Sequence, residues 1–165
     1  MFEQLFQFPA IVLVPITWVI LSIVYFSIQK RNILANYKQL NSKEITNISG
    51  SIITKSGMLR QRFEWCSFDI LINQNSVFLF PKSFYFIPSR PINLVYSTAN
   101  SKYTKQTRKP IQVREFNIGK DNVEIVFMRD YLISQTSKLY LKNLTQDQIK
   151  LLDSILNKRI NDQNL

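Results

Sequence analysis

The chain has no histidine, one cysteine and three glycines among its 165 residues, and each shortage removes a class of chemistry. Without histidine there is neither a histidine-dependent catalytic triad nor a histidine zinc site. Gly50, Gly57 and Gly119 stand apart, so no Walker-type phosphate loop or dinucleotide fingerprint can be written anywhere in the sequence. Cys66 has no partner for an intramolecular disulfide. Its alternating apolar setting, Cys66-Ser67-Phe68-Asp69-Ile70, predicts a buried structural thiol in a reducing compartment. Carboxylates would have to work alone, and neither Glu64 with Asp69 nor Glu115 with Asp121 has a spacing that a reaction requires. The expectation is a non-enzymatic protein with no cofactor, no metal and no small-molecule substrate.

Charge is missing altogether from Gln4 to Gln29, and the gap closes on Lys30 and Arg31. As a helix the run Phe8 to Ile28 would be about 31 Å long, which matches the hydrocarbon core of a bilayer and allows one crossing. No basic residue precedes the run and no small-residue cleavage site follows it, so it reads as a retained anchor and not as a cleaved leader. Lys30, Arg31, Lys38 and Lys43 follow the span, whereas Glu3 is the only charged side chain before it. Short basic flanks stay on the cytoplasmic side, which predicts a single-pass protein of the inner or plasma membrane with its amino terminus outside. Pro15, inside the run, predicts a kink, with Thr17 or Ser22 available to satisfy freed backbone groups.

The rest suits one compact domain. Ile33, Leu34, Tyr37 and Leu40 recur at helical spacing, so residues 29–43 are expected to carry the anchor helix onward as a short stalk. From residue 44 to 165 the period becomes strand-like. Strands are expected near Ile45–Thr54, Leu59–Glu64, Cys66–Ile72, Val77–Phe80, Phe84–Ile87, Ile92–Tyr96, Ile111–Ile118, Val123–Met128 and Lys138–Lys142. Short strands without intervening helices imply an antiparallel sheet closing on itself. Thr145 and Gln148 form a capping-box pair, Leu144 can staple onto Ile149, and Ile149, Leu152, Leu156 and Ile160 make an apolar stripe on a terminal helix that would cover the open end of a small barrel.

The segment Ser49-Gly50-Ser51-Ile52-Ile53-Thr54-Lys55 followed by Arg60-Gln61-Arg62-Phe63 resembles the opening hairpin of pleckstrin-homology domains. That resemblance covers roughly Ile45 to Ile160 and implies a mainly β fold: a PH-like antiparallel β-barrel capped by a carboxyl-terminal amphipathic helix. In lipid-binding members the basic residues of this hairpin grip inositol phosphates, which carries the role onto Lys55, Arg60 and Arg62. The chain departs from the pattern in lacking a tryptophan in its last helix, and its anchor makes it more similar to the small bacterial PH-like membrane proteins, which need not see inositol lipids.

The net charge of +10 is uneven, with seven basic and no acidic residues from Ile70 to Arg114. Lys102, Lys105, Arg108 and Lys109 fall in a Ser-, Thr- and Asn-rich stretch from Asn100 to Pro110 that reads as a long loop, a candidate contact for an anionic leaflet or an acidic protein. No nucleic-acid recognition motif accompanies the charge. The aromatic run Phe78 to Phe86 is expected to be core in two strands broken at Pro81, the alternative being a wedge that dips into the membrane interface beside the anchor. Together these features predict a membrane-anchored cytoplasmic binding or scaffold module that contacts a protein partner or anionic lipid headgroups; the alternative is a structural or assembly subunit of a larger membrane complex.

Overall fold

The computed structural model describes residues 3–57, 60–73, 76–95, 111–129 and 135–163. One helix, α1 (Glu3–Tyr37), contains both the apolar run and most of the expected stalk. Its stretch Leu13–Tyr37 is long and apolar enough to cross a membrane. All exposed large hydrophobic side chains described on α1 lie between Leu13 and Ile28, whereas Ile33 is buried, so the helix changes surroundings near Gln29. Thr17 and Ser22 donate to the carbonyls of Leu13 and Trp18. Neither is the carbonyl four residues before Pro15 that the proline ring deprives of its donor, so their expected role is not seen.

Among the described residues eight strands follow: β1 (Lys43–Ser56), β2 (Arg60–Ile72), β3 (Ser76–Ser83), β4 (Ile87–Pro88), β5 (Ile92–Val95), β6 (Ile111–Ile118), β7 (Val123–Arg129) and β8 (Gln135–Lys142), with α2 (Gln146–Gln163) last. They form one mostly antiparallel sheet in the order β2-β1-β8-β7-β6-β5-β3-β4, and β2 also pairs with β3. The sheet therefore curls back on itself. It is not the closed antiparallel barrel expected, because β5 and β6 meet only through Leu94 with Ile111 and Val95 with Gln112, in parallel. A parallel pair cannot be joined by a tight hairpin, which fits the 15 residues that separate β5 from β6 in sequence.

Three local expectations need correction. The two strands anticipated over 59–72 are one continuous β2, since Trp65 continues the alternation. Strand β3 runs through Pro81 to Ser83, so the proline does not break it. Phe84, Tyr85 and Phe86 are not strand residues; they form an exposed tight turn in which Phe84 and Tyr85 have φ of 51° and 71°.

Alternation along the strands sorts the side chains into two cores. The interior one holds Cys66, Phe68, Ile70 and Ile72 of β2 with Val77, Leu79, Ile125, Phe127, Leu139 and Leu141, and Ile149, Leu152 and Leu156 of α2 join it. As expected, α2 opens with a capping box: the Thr145 N–H donates to Gln148 Oε1 at 2.9 Å and the Gln148 N–H to Thr145 Oγ1 at 3.3 Å. Gly50 lets β1 pass between β8 and the Phe68 ring, because a Cβ there would lie 2.0 Å from the Tyr140 carbonyl oxygen. The second core is on the outside of the sheet. Leu71, Phe78 and Phe80 pack there against Ile33, Leu34 and Tyr37, so the expected stalk is the sheet's covering helix and not a free tether.

Candidate membrane-facing surface

Asp69 points outward from β2 into the seam beneath α1, where a lone carboxylate would be costly to bury. Three donors compensate. Lys30 Nζ of α1 lies 2.7 Å and Lys82 Nζ of β3 2.8 Å from Oδ2, and the Asn47 N–H donates to Oδ1 at 3.0 Å. That N–H turns toward the carboxylate at the left-handed backbone of Asn47 (φ 63°), where β1 slips register against β2. Burial by itself would raise the Asp69 pKa, but the hydrogen bonds from Lys30, Lys82 and Asn47 together hold the carboxyl below its ordinary range. Above this pair Lys30 sits 5.5 Å from the centre of the Phe80 ring.

The helix terminus is fastened by a second buried polar group. Asn73 Nδ2 donates to the Tyr37 carbonyl at 3.0 Å, and Ser42 Oγ donates to Asn73 Oδ1 at 2.6 Å while accepting from the Gln39 N–H at 2.7 Å. Tyr37 stacks on Phe78 with ring centres 5.2 Å apart. From Tyr37 back to Lys30, α1 thus runs alongside β3 in the opposite sense. Where they part, Phe26, Ser27, Lys30, Pro81, Lys82 and Pro88 line a groove of about 320 Å³.

Beyond the buried Ser67, toward its amino end, the outer face of β2 is exposed. Trp65 and Phe63 are exposed and stack edge to face at 4.8 Å, and Lys142 lies 5.9 Å from the Trp65 ring. The β3–β4 turn adjoins them: the Phe84 N–H donates to the Trp65 carbonyl and Ser67 Oγ to the Tyr85 carbonyl, each at 3.1 Å.

The basic residues of the first hairpin do not converge. Register places Thr54 opposite Arg62 and Ser56 opposite Arg60, on the face that continues the interior, whereas Lys55 opposite Gln61 shares the outer face with Phe63 and Trp65. Arg60 and Arg62 border a cleft of about 580 Å³ with Ile52, Thr54, Glu64 and Gln135, and the Arg62 guanidinium pairs with Glu64 at 2.5 Å. Lys102, Lys105, Arg108 and Lys109 lie outside the described residues. Nothing in their spacing marks Asp69, Lys30 and Lys82 as a unit in the sequence. Its one available signal was a carboxylate inside the apolar run Phe68-Asp69-Ile70, since a charge in a buried strand needs a partner. Comparison with family models, with curated proteins and with solved structures found no match to this chain.

Proposed function

We propose that the chain is a non-enzymatic, single-pass membrane module whose curled, PH-like sheet domain sits on the cytoplasmic side and binds a protein partner or anionic lipid headgroups. The observation that carries this reading is the seating of α1 on the sheet. A helix with an apolar, exposed first part and a last part buried against Leu71, Phe78 and Phe80 couples the domain's orientation to that of the span. A module held this way presents a fixed end of its sheet to the leaflet, so binding depends on which side chains occupy that end. Lys30, Arg31, Lys38 and Lys43 after the apolar run support the cytoplasmic placement.

The test separates this reading from that of an assembly subunit. Phe8–Ile28 is exchanged for an unrelated apolar helix, Gln29 to Tyr37 are kept, and a photo-crosslinking side chain is placed at Arg60 in intact membranes. A module keeps its pattern of crosslinked lipid or protein after the exchange. Loss of that pattern sinks the module reading, because contacts made by the span itself would then be needed.

A further inference from the structure

Five large hydrophobic side chains are exposed among the described residues of the sheet domain, Phe63, Trp65, Phe84, Tyr85 and Phe86, and they are brought together where the β3–β4 turn bonds to β2. A soluble surface scatters such residues; a contiguous set marks a contact. The turn is held open at some cost, since Phe84 and Tyr85 occupy the left-handed region that bulky side chains avoid.

The position of the patch names its occupant. Lys30 and Lys82 meet on Asp69 and are therefore level with each other on α1 and β3. From Lys30 to Phe26 the helix descends about 6 Å; from Lys82 the strand continues in the same direction to Ser83, where the aromatic turn begins. The aromatic turn thus lies beyond Lys82 on the side toward which α1 runs back into its uncharged part, which ends at Gln29. Phe26 lines the groove between α1 and the β3–β4 region together with Ser27, Pro81 and Pro88 and the cations Lys30, Arg31 and Lys82. Aromatic rings with a flanking layer of Lys and Arg are the composition of a membrane interface, where the rings sit at headgroup depth and the cations meet phosphate. An aqueous setting would leave all five rings in water next to the bilayer.

We infer that Phe84, Tyr85 and Phe86, with Trp65 and Phe63 beside them, form a second membrane foot that enters the interfacial layer of the leaflet from which α1 emerges. The inference rests on the proposed anchoring by α1 and adds that the domain touches the bilayer at two points, which prevents it from turning about the helix axis. Phe63 and Trp65 extend the foot along β2, and Lys142, level with Ser67 on the same outer face and 5.9 Å from the Trp65 ring, supplies its polar edge.

The full chain has two tryptophans, which makes the test direct. It is reconstituted into vesicles of mixed neutral and anionic phospholipid. The Trp18→Phe variant leaves Trp65 as the sole indole, the Trp65→Phe variant leaves Trp18, and Tyr85→Trp in a background lacking both reports from the turn itself. Trp18 should be quenched by lipids brominated deep in the acyl chain. Trp65 and the indole introduced at Tyr85 should emit at blue-shifted wavelengths, be quenched by lipids brominated near the headgroup, and resist aqueous iodide. If Trp18 is quenched while both reporters of the foot stay open to iodide and insensitive to brominated lipid, the second foot is overturned and the anchor stands. If Trp18 is also insensitive, the anchoring itself fails. Reporters shielded from iodide yet untouched by brominated lipid would show a protein surface covering the patch, and would likewise overturn the membrane assignment.

Discussion

The outer face of β2 has two halves with opposite fates. Toward its carboxyl end Leu71 is fully buried and Asp69 is only 6% exposed, whereas toward its amino end Trp65 is 53% and Phe63 46% exposed. All four lie on the same side of one strand, at the alternate positions that the pleat directs outward. The difference is made by α1, which covers the first half through Ile33, Leu34 and Tyr37 and then leaves the sheet. An apolar strand face is therefore no measure of core membership by itself; what covers it is decided by an element far away in sequence. On the proposed reading the same helix supplies protein to one half and carries the other half to lipid.

Matched truncations should break or keep this comparison most clearly. Leu71→Ala removes a side chain with no solvent exposure and should cost about 3 kcal/mol in the full chain, in mild detergent, followed by urea unfolding. Trp65→Ala should cost less than about 1 kcal/mol under the same conditions, since half of that ring is already exposed. Equal costs would show that Trp65 is held by protein contacts, and the two halves would no longer differ in kind.

Asp69→Asn should be nearly as severe, about 3 kcal/mol, because it leaves Lys30 and Lys82 facing each other without their shared anion. Its pH dependence has a fixed sign. The folded pKa of Asp69 lies below the unfolded value of about 4, so its contribution is complete above that value and is lost as the pH falls through the folded one. The difference in stability between wild type and Asp69→Asn should accordingly be flat at neutral pH and shrink as the solution becomes more acid than about pH 4. A difference that grew on acidification would contradict the geometry of the seam.

Asn73→Ala sharpens the comparison at the other end of the covered half. It removes the donor to the last carbonyl of α1 and the acceptor of Ser42, and should cost about 1 to 2 kcal/mol. Amide exchange should rise in the last turn of α1 while the interior strands stay protected. Uniform loss of protection would mean that helix and sheet unfold together.

What was legible in the sequence were the features that depend on near neighbours. The uncharged run, the Thr145 and Gln148 cap and strand β6 from Ile111 to Ile118 were all readable from spacing alone. Cys66 was too, and burial pushes its thiol pKa up to about 11, so it should stay unreactive toward maleimide at pH 8 until the domain unfolds. What could not be read were relations across the chain. Phe78 and Phe80 are buried as anticipated, but in the core beneath α1 and not inside the sheet, because alternation tells which residues share a face and never what lies opposite. Phe84 and Phe86 have the same alternation and are exposed, since Tyr85 adopts a turn conformation that its residue type does not announce. The parallel β5–β6 seam was hidden for a similar reason: register across a long connection has no local signature.

The smallest effects concern the hairpin charges, and they bear on which face of β1 and β2 meets the membrane. Lys55→Gln and Arg62→Gln should each change stability by no more than about 0.5 kcal/mol, as both side chains are exposed. Their effects on an anionic surface should differ. Lys55 shares the outer face with Trp65 and Phe63, whereas Arg62 lines the cleft on the opposite face and is paired with Glu64. With the aromatic face against the leaflet, Lys55→Gln should cost about 1 kcal/mol of interfacial contact and Arg62→Gln less, read as the salt dependence of Trp65 quenching by lipid in the full chain. The ranking follows from the pleat, which sends residues one apart to opposite sides. A larger effect from Arg62 would turn the cleft toward the bilayer and the aromatic rings away from it. Equal effects would mean that the hairpin stands edge-on, with both faces in the headgroup layer.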